Sequence, residues 1–225
     1  FGDFVMDGGG FAEFALCRAS HLVRVPEGMS DEVAAALPQA GGIAVIGTEG
    51  LQAGQRLLIN GAGGGSGTMA MQLARAAGVH VTAVDNAGKT GWLSGLGADA
   101  VIDYRARDFA DGAERWDRIL DMVATRGAAQ VARALAPGGI YRAAGGRVRV
   151  LLRLMAGSLF QRRGGRRIGI LMVPAGAALT ARIADLAVAG KMAPIIEDVL
   201  PLEAVPEALA RTGRGEVRGK LVIRP

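Results

Sequence analysis

Apolar positions along this chain recur with two different periods, and the places where one gives way to the other predict the architecture. Short apolar runs bounded by Gly, Asp or Arg read as strands: "RLLIN" (56–60), "VHVTAVD" (79–85), "DAVIDY" (99–104), "DRILDMV" (117–123) and "GGIYRAAGG" (138–146). Between them the spacing is helical. "SDEVAAALPQAGGIAVIG" (30–47) offers Ser30 and Asp31 as caps and is interrupted near Pro38, and "GTMAMQLARAAG" (67–78) sets Met69, Leu73 and Ala76 at helical spacing. "KTGWLSGLG" (89–97) and "GAAQVARALA" (127–136) are shorter helices of the same kind. Strands alternating with helices of this length need right-handed crossovers and give a parallel sheet covered on both faces. The predicted fold class is therefore α/β, a Rossmann-type doubly wound parallel sheet.

Beyond Gly146 the pattern continues with less contrast. "VRVLLRLMAGSLFQ" (148–161) fits a helix, "IGILMV" (168–173) a strand and "LTARIADLAVAG" (179–190) a helix. The tail reads as strand "PIIEDVLPL" (194–202), helix "EAVPEALAR" (203–211) and strand "GKLVI" (219–223).

Composition narrows the class. The chain has 225 residues, 50% of them hydrophobic, enough for one large domain or two small ones. No apolar run approaches the roughly 20 residues of a membrane-spanning helix, and no secretion signal follows Phe1. A single cysteine, Cys17, excludes an internal disulfide framework and points to a reducing compartment, so the expected location is cytoplasmic. The opening "FGDFVMDGGG" is expected to be the interior of a longer chain.

The net charge of +5 is regional. Between Asp121 and Asp185 stand 11 arginines and no acidic residue, which leaves the other 15 Lys and Arg against all 21 Asp and Glu. Such a block can attract nucleic acid, anionic lipid or a phosphorylated ligand, or can line the solvent faces of helices and loops. Its densest part is "QRRGGRR" (161–167), but Tyr141 and Phe160 are its only aromatics, which argues against single-strand recognition. No specific nucleic acid is expected as a partner.

"NGAGGGSG" (60–67) is the stretch with the clearest chemistry. A glycine cluster between a strand and the following helix sits where backbone N–H groups and a helix N-terminus meet a pyrophosphate. The spacing is A-x-G-x-x-G, carried by Ala62, Gly64 and Gly67. Asp85, at the end of the next strand, is either a helix cap for the next segment or an acceptor for an adenosine ribose, which favours NAD. Lys89 is either a solvent-facing helix lysine or a partner for the 2′-phosphate of NADP.

With these segments in hand the chain resembles the medium-chain dehydrogenase/reductase superfamily, in its zinc-independent quinone oxidoreductase-like branch. The resemblance is carried by "GGFAEFALC" (9–17), "LVRVPEGMSDEVAAALPQAG" (22–41), "LINGAGGGSGTMAMQLARAAG" (58–78), "LGADAVIDY" (96–104) and "GKLVI" (219–223). It implies the end of a GroES-like barrel segment over 1–30, a Rossmann domain over 31–190 and a tail, 191–225, returning to the barrel, most of which is absent. It implies further that Gly64, Gly65, Ser66 and Gly67 form the phosphate turn, with Ser66 in place of the usual valine. On the same basis Lys89 meets the 2′-phosphate, Tyr104 lies beside the adenosine phosphate and Gly145 lies near the nicotinamide. Together these favour NADPH, with NADH possible.

Two departures from the family pattern fall near the nicotinamide: Ile43 in "AGGIA" where Thr is common, and Met122 and Ala124 in "LDMVA" where "NVG" is frequent. The zinc-ligand cysteine expected near Gln39 and the cysteine-rich lobe expected around residues 3–11 are missing, and Cys17 with His21 is too few donors for a tetrahedral site. The implied activity is zinc-independent hydride transfer from NADPH to a quinone or α,β-unsaturated carbonyl. Its alternatives are an NAD(P)-binding fragment without turnover and a zinc-free alcohol dehydrogenase-like protein. No catalytic residue is assigned, and Tyr141 is not taken as proton donor. Relatives pair through an edge strand, here "IGILMV", so a homodimer is expected.

Overall fold

A computed structural model describes residues 1–3, 9–158 and 163–225. Parts of "FGDFVMDGGG" and "QRRGGRR", Phe160 and the end of the helix expected over 148–161 lie outside them. Contacts divide the chain into two compact units, one comprising Ile46–Gly63 and Leu73–Met172, the other Phe1–Val45, Gly64–Gln72 and Val173–Pro225.

The first of these units holds a six-stranded parallel sheet. Its strands are β1 (Arg56–Asn60), β2 (His80–Asp85), β3 (Ala100–Asp103), β4 (Trp116–Asp121), β5 (Leu135–Ala143) and β6 (Arg167–Ile170), in the spatial order β3-β2-β1-β4-β5-β6. The order reverses between β1 and β4, which is the switch point at which ligands bind in doubly wound sheets. Leu57, Leu58 and Ile59 are fully buried, as strands covered on both faces must be. On one face Trp116, Ile119, Tyr141 and Phe109 pack with Val131 of α5 (Ala128–Ala134) and Leu154 of α6 (Val148–Ser158). Phe109 and Trp116 meet edge to face at 6.2 Å, and Trp116 Nε1 donates to Thr82 Oγ1 at 3.2 Å. On the other face Gly47 leaves the room that Leu120 fills.

The other unit contains α1 (Asp31–Ala36), α7 (Ala177–Val188), α8 (Val205–Gly213) and a parallel pair, β7 (Ile196–Pro201) with β8 (Lys220–Arg224). Ser30 caps α1 by accepting from the Val33 N–H at 3.3 Å, with Asp31 and Glu32 in the first turn, as the helix dipole favours. Pro38 ends α1 and starts α2 (Pro38–Thr48) as a separate helix. The side chain of Gln72 donates to the Ala193 carbonyl at 2.8 Å and accepts from its N–H at 2.9 Å.

The observed elements shift some expected boundaries. The helix after the glycines, α3 (Gly65–Ala76), opens two residues before the expected Gly67, so Gly65, Ser66 and Gly67 form its first turn and the loop proper is shorter. The helix expected over 89–97 is α4 (Thr90–Gly95), preceded by a 3₁₀ turn, Ala87–Lys89. The Asn86 side chain accepts from Gly88 N–H and so competes with the helix at its start. Strand β6 is shorter than the expected 168–173 and is the edge strand of the sheet.

Candidate dinucleotide site

The C-terminal ends of β1, β2 and β3 bring three of the residues named from the sequence, Asp85, Lys89 and Tyr104, together with Gly63, which the sequence reading did not name. After Asn60 the chain turns through Gly61, in the left-handed region at φ 84°, and the N–H groups of Gly61 and Ala62 donate to the Val84 carbonyl at 3.0 and 3.1 Å. The Gly63 N–H donates to Asp85 Oδ2 at 2.8 Å. These three N–H groups are thus spent in shaping the loop.

Asp85 is 7% exposed and Lys89 5%. The Asp85 carboxylate also accepts from Asn86 N–H at 2.9 Å and Asn86 Nδ2 at 3.1 Å, and Lys89 Nζ lies 3.5 Å from its Oδ1. Burial rules out the solvent-facing reading of Lys89. The 3₁₀ turn causes it: a tighter turn than α brings residue 89 back over the end of β2. A Cβ on Gly63 would lie 2.6 Å from Lys89 Cδ and 2.8 Å from Asp85 Oδ2, so only glycine fits beside the pair. Tyr104 follows β3, half-exposed, with its N–H on the Asp85 carbonyl at 3.1 Å and the Arg105 guanidinium 5.6 Å from its ring centre.

Gly145 stands apart from that group, past the end of β5, where a Cβ would run into the Met122 carbonyl. This side of the sheet holds a network that the sequence reading missed. Asp121, fully buried at the end of β4, accepts at Oδ1 from Asn60 Nδ2 (2.7 Å), Val123 N–H (2.9 Å) and Ala124 N–H (2.8 Å), and at Oδ2 from Tyr141 OH (2.8 Å). Burial, and then the Asp121 carboxylate, hold the Tyr141 phenol far above its usual range. The same bonds hold Ala124 at φ 43°, the left-handed region that a non-glycine residue rarely adopts. The signal was present in the sequence as Asn60 and Asp121, polar residues closing otherwise apolar runs.

In the other unit, Gly64 pairs with Gly219 in an isolated parallel bridge, and Gly65 begins α3. Thr68 Oγ1 donates back to the Gly65 carbonyl at 3.1 Å, and Ser66 is half-buried while Gly67 is buried. The side chain of Lys220, on β8, lies against Gly65 where any Cβ would stand, and burial lowers its pKa. Lys220 carried no recognisable signal in the sequence.

Comparison with known proteins agrees with this architecture. Residues 96–223 match the zinc-binding dehydrogenase family. The mitochondrial NAD(P)H oxidoreductase RTN4IP1 of Danio rerio is 29% identical over 251 residues, covering 96% of this chain and 62% of that protein. The chloroplast envelope quinone oxidoreductase homolog of Arabidopsis thaliana is 36% identical over 113 residues, 47% of this chain and 34% of that protein. The quinone oxidoreductase structure from Coxiella burnetii superposes with a TM-score of 0.80 at 24% identity, covering 92% of this chain and 65% of that one, and shows the shared fold. The chain spans about three fifths of the length of the curated relatives it matches over most of its own length.

The family's description raises zinc. One Cys and two His are present in the sequence, and among the described residues no three His, Cys, Asp or Glu side chains group as a metal site requires. His80 lies by Asp99 with both side chains more than half exposed. The described donor set does not fit zinc. A six-stranded sheet of order 3-2-1-4-5-6, with a glycine turn and an acidic residue at its switch point, and the match over residues 96–223 have one common source: the chain belongs to the zinc-binding dehydrogenase family of the medium-chain dehydrogenase/reductase superfamily.

Proposed function

We propose that the chain is the dinucleotide-binding part of a zinc-independent oxidoreductase that passes hydride from NADPH to a quinone or α,β-unsaturated carbonyl. The observation that carries the cofactor assignment is the buried Lys89 ammonium beside Asp85 at the end of β2, where the adenosine ribose of a dinucleotide is recognised in this fold. Glycine at position 63 lets the Asp85 and Lys89 side chains close over the end of β1. Gly64, Gly65, Ser66 and Gly67 are assigned to the pyrophosphate, Asp85 and Lys89 to the ribose and its 2′-phosphate, Tyr104 to the adenosine side and Gly145 to the nicotinamide side.

When bound, the nicotinamide supplies the hydride. The chain's own residues orient it and exclude water. The Asp121 network fixes the turn Met122–Ala124 beside Gly145, and Tyr141, whose proton is engaged by a buried carboxylate, is no proton donor.

Lys89→Ala tests the cofactor assignment. It should weaken NADPH about tenfold or more while changing NADH much less, since a charge-assisted contact to phosphate is lost. Nicotinamide fluorescence titrations measure both. An equal loss for the two nucleotides moves the assignment to Asp85 and NAD.

A nucleotide-binding module without turnover is the second reading, favoured by the strained Ala124 where the related pattern has glycine. Adding quinones and enones to the NADPH complex separates the two, because only the first reading gives oxidation. Cytoplasmic residence and a homodimer paired along the edge strand β6 are part of the proposal. Fractionation tests the one and sedimentation at high concentration the other.

A further inference from the structure

The face of the sheet opposite Tyr141 carries an arrangement that dinucleotide binding does not use. Arg118, Ile140 and Arg167 are register partners on β4, β5 and β6, so their side chains share a face. Arg142, two residues past Ile140, shares it too and stands opposite Gly169. Gly169 leaves space for it: a Cβ there would lie 3.3 Å from Arg142 Nη1. Arg118 Nη1 donates to the Gly47 and Glu49 carbonyls, both at 3.0 Å, at the end of α2. Its Nε is buried without a hydrogen-bond partner.

Two of the three cations, Arg142 and Arg167, are not neutralised by a neighbouring carboxylate among the described residues, and none of the 11 arginines between Asp121 and Asp185 has an acidic neighbour in that stretch of sequence. Burial first, and then the charges of Arg142 and Arg167, lower the pKa of Arg118, against which Glu49 acts. Burial and Arg167 do the same to Arg142. Gathering like charges on a sheet face and leaving one donor unmatched opposes folding. A bound oxyanion offsets the gathered positive charge. Arg167 is exposed on the edge strand while Arg118 and Arg142 are half-buried, so such an anion has an approach from solvent.

We propose that Arg118, Arg142 and Arg167 form a binding site for a phosphate dianion, free or as a monoester, on the face of the sheet away from Tyr141. A guanidinium fork matches phosphate oxygens two at a time, and a dianion offsets three cations better than a carboxylate does. The site is independent of the dinucleotide assignment.

Thermal melting at constant ionic strength, with inorganic phosphate, glycerol phosphate or acetate replacing chloride, tests it. Both phosphates should raise the Tm saturably, as a ligand of the native state does, and acetate should not. A larger response to glycerol phosphate identifies an ester as the ligand, and equal responses identify the free ion. Arg142→Gln and Arg167→Gln should each weaken the apparent phosphate affinity about tenfold and leave NADPH binding unchanged. Their ligand-free Tm should be no lower than that of the parent, because each removes a repelling charge. Lys89→Ala should keep the phosphate response. The proposal is overturned by absence of a phosphate response, by an equal response to acetate, by persistence of the response in both arginine variants, or by its loss in Lys89→Ala. A fall in ligand-free Tm in both arginine variants also overturns it, since the arginines would then be structural.

Discussion

Asp121→Ala should lower the stability of the protein by about 3–5 kcal/mol, read as a fall in the urea midpoint. Four donors converge on this carboxylate: Asn60 Nδ2, the Val123 and Ala124 N–H groups and Tyr141 OH. Alanine leaves three of them buried and the Val123 N–H partly buried, without a partner. Each unmatched buried donor costs roughly 1–3 kcal/mol, offset in part because the carboxylate itself no longer has to be desolvated. Against a typical total of about 5–15 kcal/mol this is a large share. Tyr141→Phe removes one bond to a charged acceptor and should cost about 1.5–3 kcal/mol. In the double variant the two losses should fall short of their sum, since they remove one shared interaction. Strict additivity would mean that the phenol and the carboxylate act separately.

The same network predicts an alkaline limb. The folded Tyr141 pKa is raised, by burial first and by Asp121 next. In the unfolded chain the phenol ionises near its ordinary value of about 10. Its contribution is therefore complete below about pH 10 and declines as the pH rises further.

Gly63→Val should abolish dinucleotide binding, with a loss of about 100-fold or more for both NADPH and NADH, on the reading proposed above. The first branch carbon would lie 2.6 Å from Lys89 Cδ and 2.8 Å from Asp85 Oδ2. The pair must then move, and the Gly63 N–H loses its 2.8 Å bond to Asp85. Overpacking of this kind costs about 1–3 kcal/mol of stability, so the variant should still fold and show the circular dichroism of the parent. Binding is hit harder than folding because the loop, Asp85 and Lys89 are displaced together. Fluorescence titration measures the affinities. Unchanged affinity in a folded variant would mean that the turn has been assigned to the wrong ligand, whereas a parent that binds neither nucleotide would remove the reading itself.

Much of the sheet was legible because strand periodicity and glycine punctuation are local. "RLLIN" became β1 without a change of bounds, and "VHVTAVD" became β2 one residue shorter. The site was legible only in its parts. Asp85 and Lys89 stand four residues apart, yet that spacing alone left Lys89 open between a solvent-facing residue and a phosphate partner. A 3₁₀ turn, started by the Asn86 side chain, turned it inward. Tyr104 and Gly145 were named from the family resemblance, and their assignment to a cofactor remains a proposal.

What the sequence determined by itself is the succession of elements, the parallel class of the sheet and the placing of a glycine turn after the first strand, because backbone propensity and side-chain periodicity act over a few residues. What only the tertiary structure decided is which charges are buried and with whom. Asn60 and Asp121 lie 61 residues apart and meet because β1 and β4 are neighbours in the sheet. Arg118, Arg142 and Arg167 come from three strands whose order no local pattern encodes. A charge's free energy depends on the solvent and partners around it, and those are set by strand order and register after the chain has folded.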